Sequence, residues 1–171
     1  MRIRRKFLQL TRYTYPHGTE GFLKSYLPEG SIKDLHGNYY FLIGENPTTM
    51  FTCHLDTADS TQSIVKHVFD GNIIKTDGTT ILGADDKAGV AVMLYMMAHN
   101  VPGLYYFFMG EERGGIGSGL LSSVYEDTPY LKNVKRCVSF DRRDVRSVIT
   151  SQLGRVCCSN QFGTALCKEY N

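Results

Sequence analysis

Leu104-Tyr105-Tyr106-Phe107-Phe108-Met109, closed by Gly110-Glu111-Glu112, is a continuous apolar run that stops abruptly on two acids. It has no polar face, as expected of a strand covered on both sides. Upstream, from Gly83, the period becomes that of a helix. Ala88, Val92, Tyr95 and Met96 share one face through residue 99, and Pro102-Gly103 ends the pattern. Residues 38–43 and 49–53 are short, aromatic and apolar, bounded by Gly37, Gly44 and Asn46-Pro47, and read as neighbouring strands. Downstream, a helix is predicted from near Gly117, a buried strand over 136–140, a shorter strand over 147–150 and a last helix over 158–170. Strands alternating with helices predict an α/β fold, a mixed, mainly parallel sheet flanked by helices.

Two further segments complete this reading. Residues 3–13 and 19–27 are helical in pattern, separated by the breakers in Tyr15-Pro16-His17-Gly18. Between residues 63 and 82, Asp70-Gly71 and Asp77-Gly78 separate three β-rich runs, which predicts a three-stranded meander.

Composition excludes several classes of function. A chain of 171 residues is long enough for one domain with a core, so residues 1–171 are expected to form a single domain. The content of 42% hydrophobic and 21% charged residues is that of a globular protein. No apolar run approaches the roughly 20 residues a membrane helix needs, and the basic start is not followed by a signal-peptide pattern. A cytoplasmic protein without a membrane partner is expected. The net charge of +2 implies no nucleic-acid partner, and the cluster Arg2, Arg4, Arg5 and Lys6 reads as a solvated helical turn. Cys53, Cys137, Cys157, Cys158 and Cys167 are odd in number and contain no C-x-x-C pair, which argues against a disulfide framework or a zinc knuckle.

Chemistry concentrates where apolar segments end. His54-Leu55-Asp56 closes one strand, Gly83-Ala84-Asp85-Asp86-Lys87 opens the helix, Glu111-Glu112 closes the 104–109 strand, and Asp141 follows another. Strand residues two apart share a face, so Asp56 can reach the His54 ring and hold its second nitrogen. Asp85 lies in a glycine-flanked turn before a helix; taken alone it reads as an N-cap, a role that suits Asp86 better. Lys87 reads as neutralising carboxylate charge. Adjacent acids at the end of an apolar strand repel each other unless cations or donors are near. One of Glu111 and Glu112 can then hold a metal while the other acts as general base. Imidazole and carboxylates are donors that zinc accepts. Other residues have plainer readings. His17, His36, His67 and His99 read as surface or turn residues, Met93, Met96 and Met97 as core, and Gly114–Gly119 as a flexible turn without the lysine of a phosphate loop. Arg142 and Arg143 read equally as a solvated pair or as contacts for a substrate carboxylate.

The segment Lys75-Thr-Asp-Gly-Thr-Thr-Ile-Leu-Gly-Ala-Asp-Asp-Lys-Ala-Gly89 resembles the corresponding stretch of peptidase T. The clusters together resemble the co-catalytic di-zinc exopeptidases, the group of peptidase T, glutamate carboxypeptidase and bacterial leucyl aminopeptidases. The resemblance runs from about His17-Gly-Thr-Glu20 to Asp141. It implies a zinc-aminopeptidase-like catalytic domain that binds two zinc ions, with cobalt or manganese as substitutes. His54 and Asp141 would hold the first zinc, Glu112 the second and Asp85 both; Asp56 would orient His54, and Glu111 would be the general base. The implied reaction is hydrolysis of a terminal bond in a short peptide or aminoacyl amide. Two departures accompany it. The family's last zinc ligand is a histidine well past the Asp141 position, and no histidine follows His99 here. The lid domain that peptidase T inserts after that position has no room, so none is expected. These departures are read as a chain truncated at its C-terminal side. A single-zinc site, or an inactive relative that serves in binding or assembly, stands as the alternative.

Overall fold

A computed structural model describes residues 2–144 and 147–169. The chain divides into two compact units, Met1–Asp141 and Arg142–Asn171. The first unit is built on a five-stranded sheet. In chain order its strands are β1 (Ile32–Lys33), β2 (Tyr39–Ile43), β3 (Thr49–His54), β6 (Gly103–Phe108) and β7 (Arg136–Ser139). The spatial order is β1-β2-β6-β3-β7. β6, β3 and β7 are parallel, whereas β2 runs against both β1 and β6. The predicted mixed, mainly parallel sheet is therefore present, with β2 alone reversed.

β6 takes the central position because it has no polar face to leave in water. Leu104, Tyr105, Tyr106 and Phe107 have no solvent exposure. Burying each such side chain contributes about 1.5–3 kcal/mol, and only a strand with neighbours on both edges and layers on both faces collects that contribution four times over. This places β6 between β2 and β3, which are thus not adjacent, contrary to the sequence expectation. One core layer joins Phe107, Tyr105 and Cys53 to helix α1 (Ile3–Leu10) and helix α2 (Ala84–Ala98). The other joins Leu104 and Tyr106 to Leu121 of helix α3 (Ile116–Ser123) and to Leu131.

Several local expectations are corrected. α2 buries Val90, Ala91, Met93, Leu94 and Met97, while Ala88 and Tyr95 of the predicted face are exposed. The helix has apolar residues on most sides, so periodicity alone does not select the inner face. The meander is a two-stranded hairpin of β4 (His67–Asp70) and β5 (Ile73–Thr76). Its expected third strand is consumed by local hydrogen bonds. Asp77 accepts from the backbone and hydroxyl of Thr79, and Thr76 Oγ1 accepts from Gly78 N and donates to Thr80 O. Such side-chain bonds compete with a ladder. β7 is an edge strand with exposed Arg136, Cys137 and Ser139 rather than a buried one. Residues 19–27 form a 3-10 helix over Glu20–Tyr26.

In the second unit, β8 (Ser151–Gln152) and β9 (Arg155–Val156) form a minimal hairpin, followed by helix α4 (Asn160–Glu169). No strand forms over 147–150. Thr150 instead accepts the backbone N–H of Cys157 at 2.8 Å, and Gly163 of α4 comes so close that an added Cβ would lie 3.0 Å from Thr150 Cγ2. Of the helix predicted over 158–170, Tyr170 lies outside the described residues. Arg142 and Arg143 are exposed, and Arg142 Nε donates to Ser147 Oγ at 3.1 Å. All five cysteines are free thiols. Among the described residues no helix is long and apolar enough to cross a membrane.

Candidate active site

Three parallel strands and one helix bring the acids together. His54 is the last residue of β3, Glu111 and Glu112 follow β6, and Asp141 follows β7. Parallel strands end on the same edge of a sheet, so residues far apart in the chain emerge side by side. α2 begins at that edge, and Asp85 Oδ1 lies 3.2 Å from His54 Nε2. Glu111 Oε2 lies 3.9 Å from the same nitrogen. One donor atom each from His54, Asp85 and Asp141 falls within 4.8 Å of the others, and His54, Glu111 and Glu112 form a second such group. His54 is buried, Asp85 and Asp141 are exposed and the two glutamates are intermediate, so the cluster has a fixed base and a side open to solvent.

Asp56 has a different place from the other five. It is fully buried, with Oδ1 3.4 Å from His54 Nδ1. Its carboxylate accepts the backbone N–H groups of Glu111 at 2.9 Å and Glu112 at 3.0 Å. The backbone there can turn sharply because Gly110 is left-handed, with φ 65°. Asn38 braces the exit of β6. Its Oδ1 accepts from Met109 N at 3.1 Å, and its Nδ2 donates to Gly117 O at 3.1 Å and to Asp34 Oδ2 at 2.9 Å. A Cβ on Gly117 would lie 2.7 Å from Met109 O, so the start of α3 approaches the acidic turn as closely as only glycine permits.

Asp86 and Lys87 anchor the helix side. Asp86 Oδ1 accepts from Gly89 N at 3.1 Å, which caps α2, while Oδ2 accepts from His54 N at 3.2 Å. Burial pushes the Asp86 carboxyl up to about 8 against the opposing field of His54. Lys87 has no exposure, and its Nζ donates to the carbonyls of Leu55 and Asp56. Burial lowers its pKa to about 8, opposed by the fields of Asp56, Asp86 and Glu20. Its hydrogen-bond partners are backbone carbonyls rather than the carboxylates that the sequence reading assigned to Lys87.

Electrostatics make this cluster costly without a cation. Burial raises the pKa of Glu111, Glu112 and Asp141; the His54 field opposes the rise and neighbouring carboxylates add to it. His54 would be lowered by burial, but the hydrogen bond it donates to the Asp56 carboxylate and the fields of Asp86 and Asp141 carry it up to about 9. One imidazole thus serves as counter-charge for several carboxylates. A donor set of one imidazole nitrogen and four clustered carboxylates suits a divalent cation, which would relieve the repulsion that raises them.

No protein-family model matches the chain. A stretch of 84 residues is 43% identical to the uncharacterized protein YqjE of Bacillus subtilis strain 168, covering 45% of this chain and 22% of that protein. Among solved structures, a tripeptidase from Staphylococcus aureus is similar at 27% identity and TM-score 0.64, covering 84% of this chain and 43% of its own. The aminopeptidase PepT from Bacillus cereus is similar at 26% identity and TM-score 0.64, covering 85% and 44%. An aminoacylhistidine dipeptidase from Vibrio alginolyticus, at 19% identity and TM-score 0.64, shares the fold over 84% of this chain. The chain thus spans less than half the length of these peptidases and about a fifth of YqjE. Its fold is that of peptidases.

Two residues at the site carry more structure than their sequence reading assigned. His17, read as a surface or turn histidine, pairs through Nδ1 with Glu20 Oε1 at 2.7 Å, and Glu20 is fully buried. Together with Asp56 they form a third group with donor atoms within 4.8 Å. In the sequence His17-Gly-Thr-Glu20 marks only where the resemblance begins, and the i,i+3 spacing of the pair after a proline assigns it no role. The remaining histidines keep plainer roles: His67 Nε2 meets Thr11 Oγ1 at 2.8 Å, and His99 Nδ1 donates to Tyr95 O at 2.7 Å.

Proposed function

We propose that this chain carries the core of a zinc-dependent exopeptidase of the aminopeptidase, dipeptidase or tripeptidase kind, acting on a terminal bond of a short peptide or aminoacyl amide. The observation behind this reading is the gathering of Asp85, Asp141, Glu111 and Glu112 around a buried histidine, His54. The likeness in fold to a tripeptidase and an aminopeptidase supports it. His54, Asp85, Glu112 and Asp141 would hold two zinc ions. Bound divalent cations supply Lewis acidity toward a carbonyl oxygen and toward water.

The chain's own residues do the rest. Asp56 holds the inward edge of the His54 ring, so that Nε2 stays aimed at the acids. Glu111 takes a proton from the attacking water and returns it to the leaving amine. Asp56 also fixes the Glu111 backbone, so the base acts from a set position. Substrate reaches the cluster from its open side.

A second reading is a non-catalytic relative that keeps the fold and serves in binding or assembly. The test is zinc content measured together with aminoacyl-amide hydrolysis, on the chain and on Glu111→Ala. Two zincs with turnover lost in Glu111→Ala support the exopeptidase. No bound metal at micromolar zinc would sink it for this chain.

A further inference from the structure

Glu20 is a carboxylate with no exposure, set in the first turn of a short 3-10 helix. One oxygen takes the His17 Nδ1 hydrogen bond at 2.7 Å, whereas Oε2 is buried and has no hydrogen-bond partner among the described residues. An orphaned carboxylate oxygen in the interior opposes folding. An apolar residue of similar size would be easier to bury, so stability does not account for an acid here.

The surroundings of the pair suggest what does. The His17 ring sits directly on Gly110: a Cβ added there would lie 2.9 Å from both Cε1 and Nδ1 of the imidazole. Gly110 is the left-handed residue that starts the Glu111–Arg113 turn. The segment carrying His17 is tied to the loop after β3, with Tyr15 N donating to Thr57 Oγ1 at 2.8 Å and Thr57 N to Tyr15 O at 2.9 Å. Donor atoms of His17, Glu20 and Asp56 lie within 4.8 Å of one another, and Asp56 holds the N–H groups of Glu111 and Glu112. The acidic turn is thus gripped through its two amides by Asp56, and at its pivot by His17.

We propose that His17 and Glu20 are positioning residues: Glu20 locks the His17 ring against Gly110, and this contact sets the direction of the Glu111 turn. The function assigned to the turn rests on the exopeptidase reading; the mechanical coupling does not. The hydrogen bond, rather than the charge, is what the arrangement uses. Glu20→Gln keeps an acceptor for His17 Nδ1–H, and Glu20→Ala removes it.

The test measures amide hydrogen exchange and steady-state kinetics in the parent, Glu20→Ala, Glu20→Gln and His17→Ala. Glu20→Ala and His17→Ala are expected to speed exchange at Glu111 and Glu112 at least about tenfold while Tyr105 and Tyr106 keep their protection. If the parent hydrolyses aminoacyl amides, kcat should fall by a similar factor with KM within about twofold. Glu20→Gln should return both readouts to within about threefold of the parent. Unchanged exchange at Glu111 and Glu112 in His17→Ala overturns the proposal. So does loss of protection spread equally over β6, which would mark general destabilisation, or failure of Glu20→Gln to rescue. Should Glu20→Ala not fold, His17→Ala with Glu20→Gln decides. A parent without turnover refutes the exopeptidase reading, and the exchange data still decide this one.

Discussion

The carboxylate of Asp56 and the backbone N–H of Glu111 are joined at 2.9 Å, although 55 positions separate them in the chain. Through this bond the loop after β3 holds the turn after β6. The same carboxylate flanks His54 Nδ1 at 3.4 Å and accepts from Glu112 N at 3.0 Å. Histidine orientation and turn geometry thus depend on one buried acid.

Asp56→Ala would leave the backbone donors of Glu111 and Glu112 unsatisfied and remove the carboxylate beside His54 Nδ1, which keeps only the Asp56 backbone carbonyl at 3.1 Å. Removing such a partner costs about 1–3 kcal/mol per buried group left behind, so the denaturation midpoint should fall clearly. Metal affinity or turnover should drop by about 10–100-fold, the usual effect of losing the partner that orients a ligand histidine. Asp56→Asn retains one acceptor and should be intermediate on both scales. Urea unfolding and zinc titration of the three proteins check this, and an Asp56→Ala protein with parental metal affinity would refute the orienting role.

Zinc should raise the thermal midpoint of the chain. Ligand at a hundred times its Kd stabilises by about 2.7 kcal/mol, a shift readily measured by differential scanning fluorimetry. In the double variant Asp85→Ala, Asp141→Ala the zinc-dependent shift should disappear. The metal-free midpoint should stay level or rise, because two carboxylates that repel their neighbours are gone. A zinc-dependent shift that survives the double substitution would place the metal elsewhere.

Phe107 has no exposure and pairs across Tyr39 on one side and Cys53 on the other. Phe107→Ala should destabilise the fold by about 3–5 kcal/mol. Val68→Ala, on the partly exposed hairpin, should cost far less. Equal losses in chemical denaturation would contradict the central placement of β6.

Alkaline pH should weaken the fold through Tyr105. Burial pushes its phenol up to about 12, and its hydroxyl donates to Val101 O at 2.7 Å. Its folded pKa lies above the unfolded value, so the folded state keeps a proton that the unfolded chain releases. The contribution is intact below pH ~10 and is lost as pH rises toward 12. In Tyr105→Phe this part of the pH dependence should be missing from urea midpoints collected across that window. The same decline in parent and variant would assign it to other groups.

Residues 104–109 revealed the central strand from sequence because six apolar side chains in a row have only one comfortable place in an α/β sheet. His54, Asp56, Asp85, Glu111, Glu112 and Asp141 were legible as candidates because acids at the ends of apolar segments are costly without a purpose. Sequence alone could not show that β6 parts β2 from β3, that residues 79–82 form no third strand, or which face of α2 points inward. Each depends on competition between neighbours rather than on local preference. His17 and Glu20 were hidden for a similar reason: only the folded chain lays an imidazole on Gly110 and strands a carboxylate oxygen in the interior. The amino-acid sequence by itself determined the alternation of strands and helices and the chemical types at strand ends, because periodicity and burial cost are local properties. Tertiary structure alone decided which acids share a cation-sized space, because the parallel direction of β3, β6 and β7 sets which ends meet.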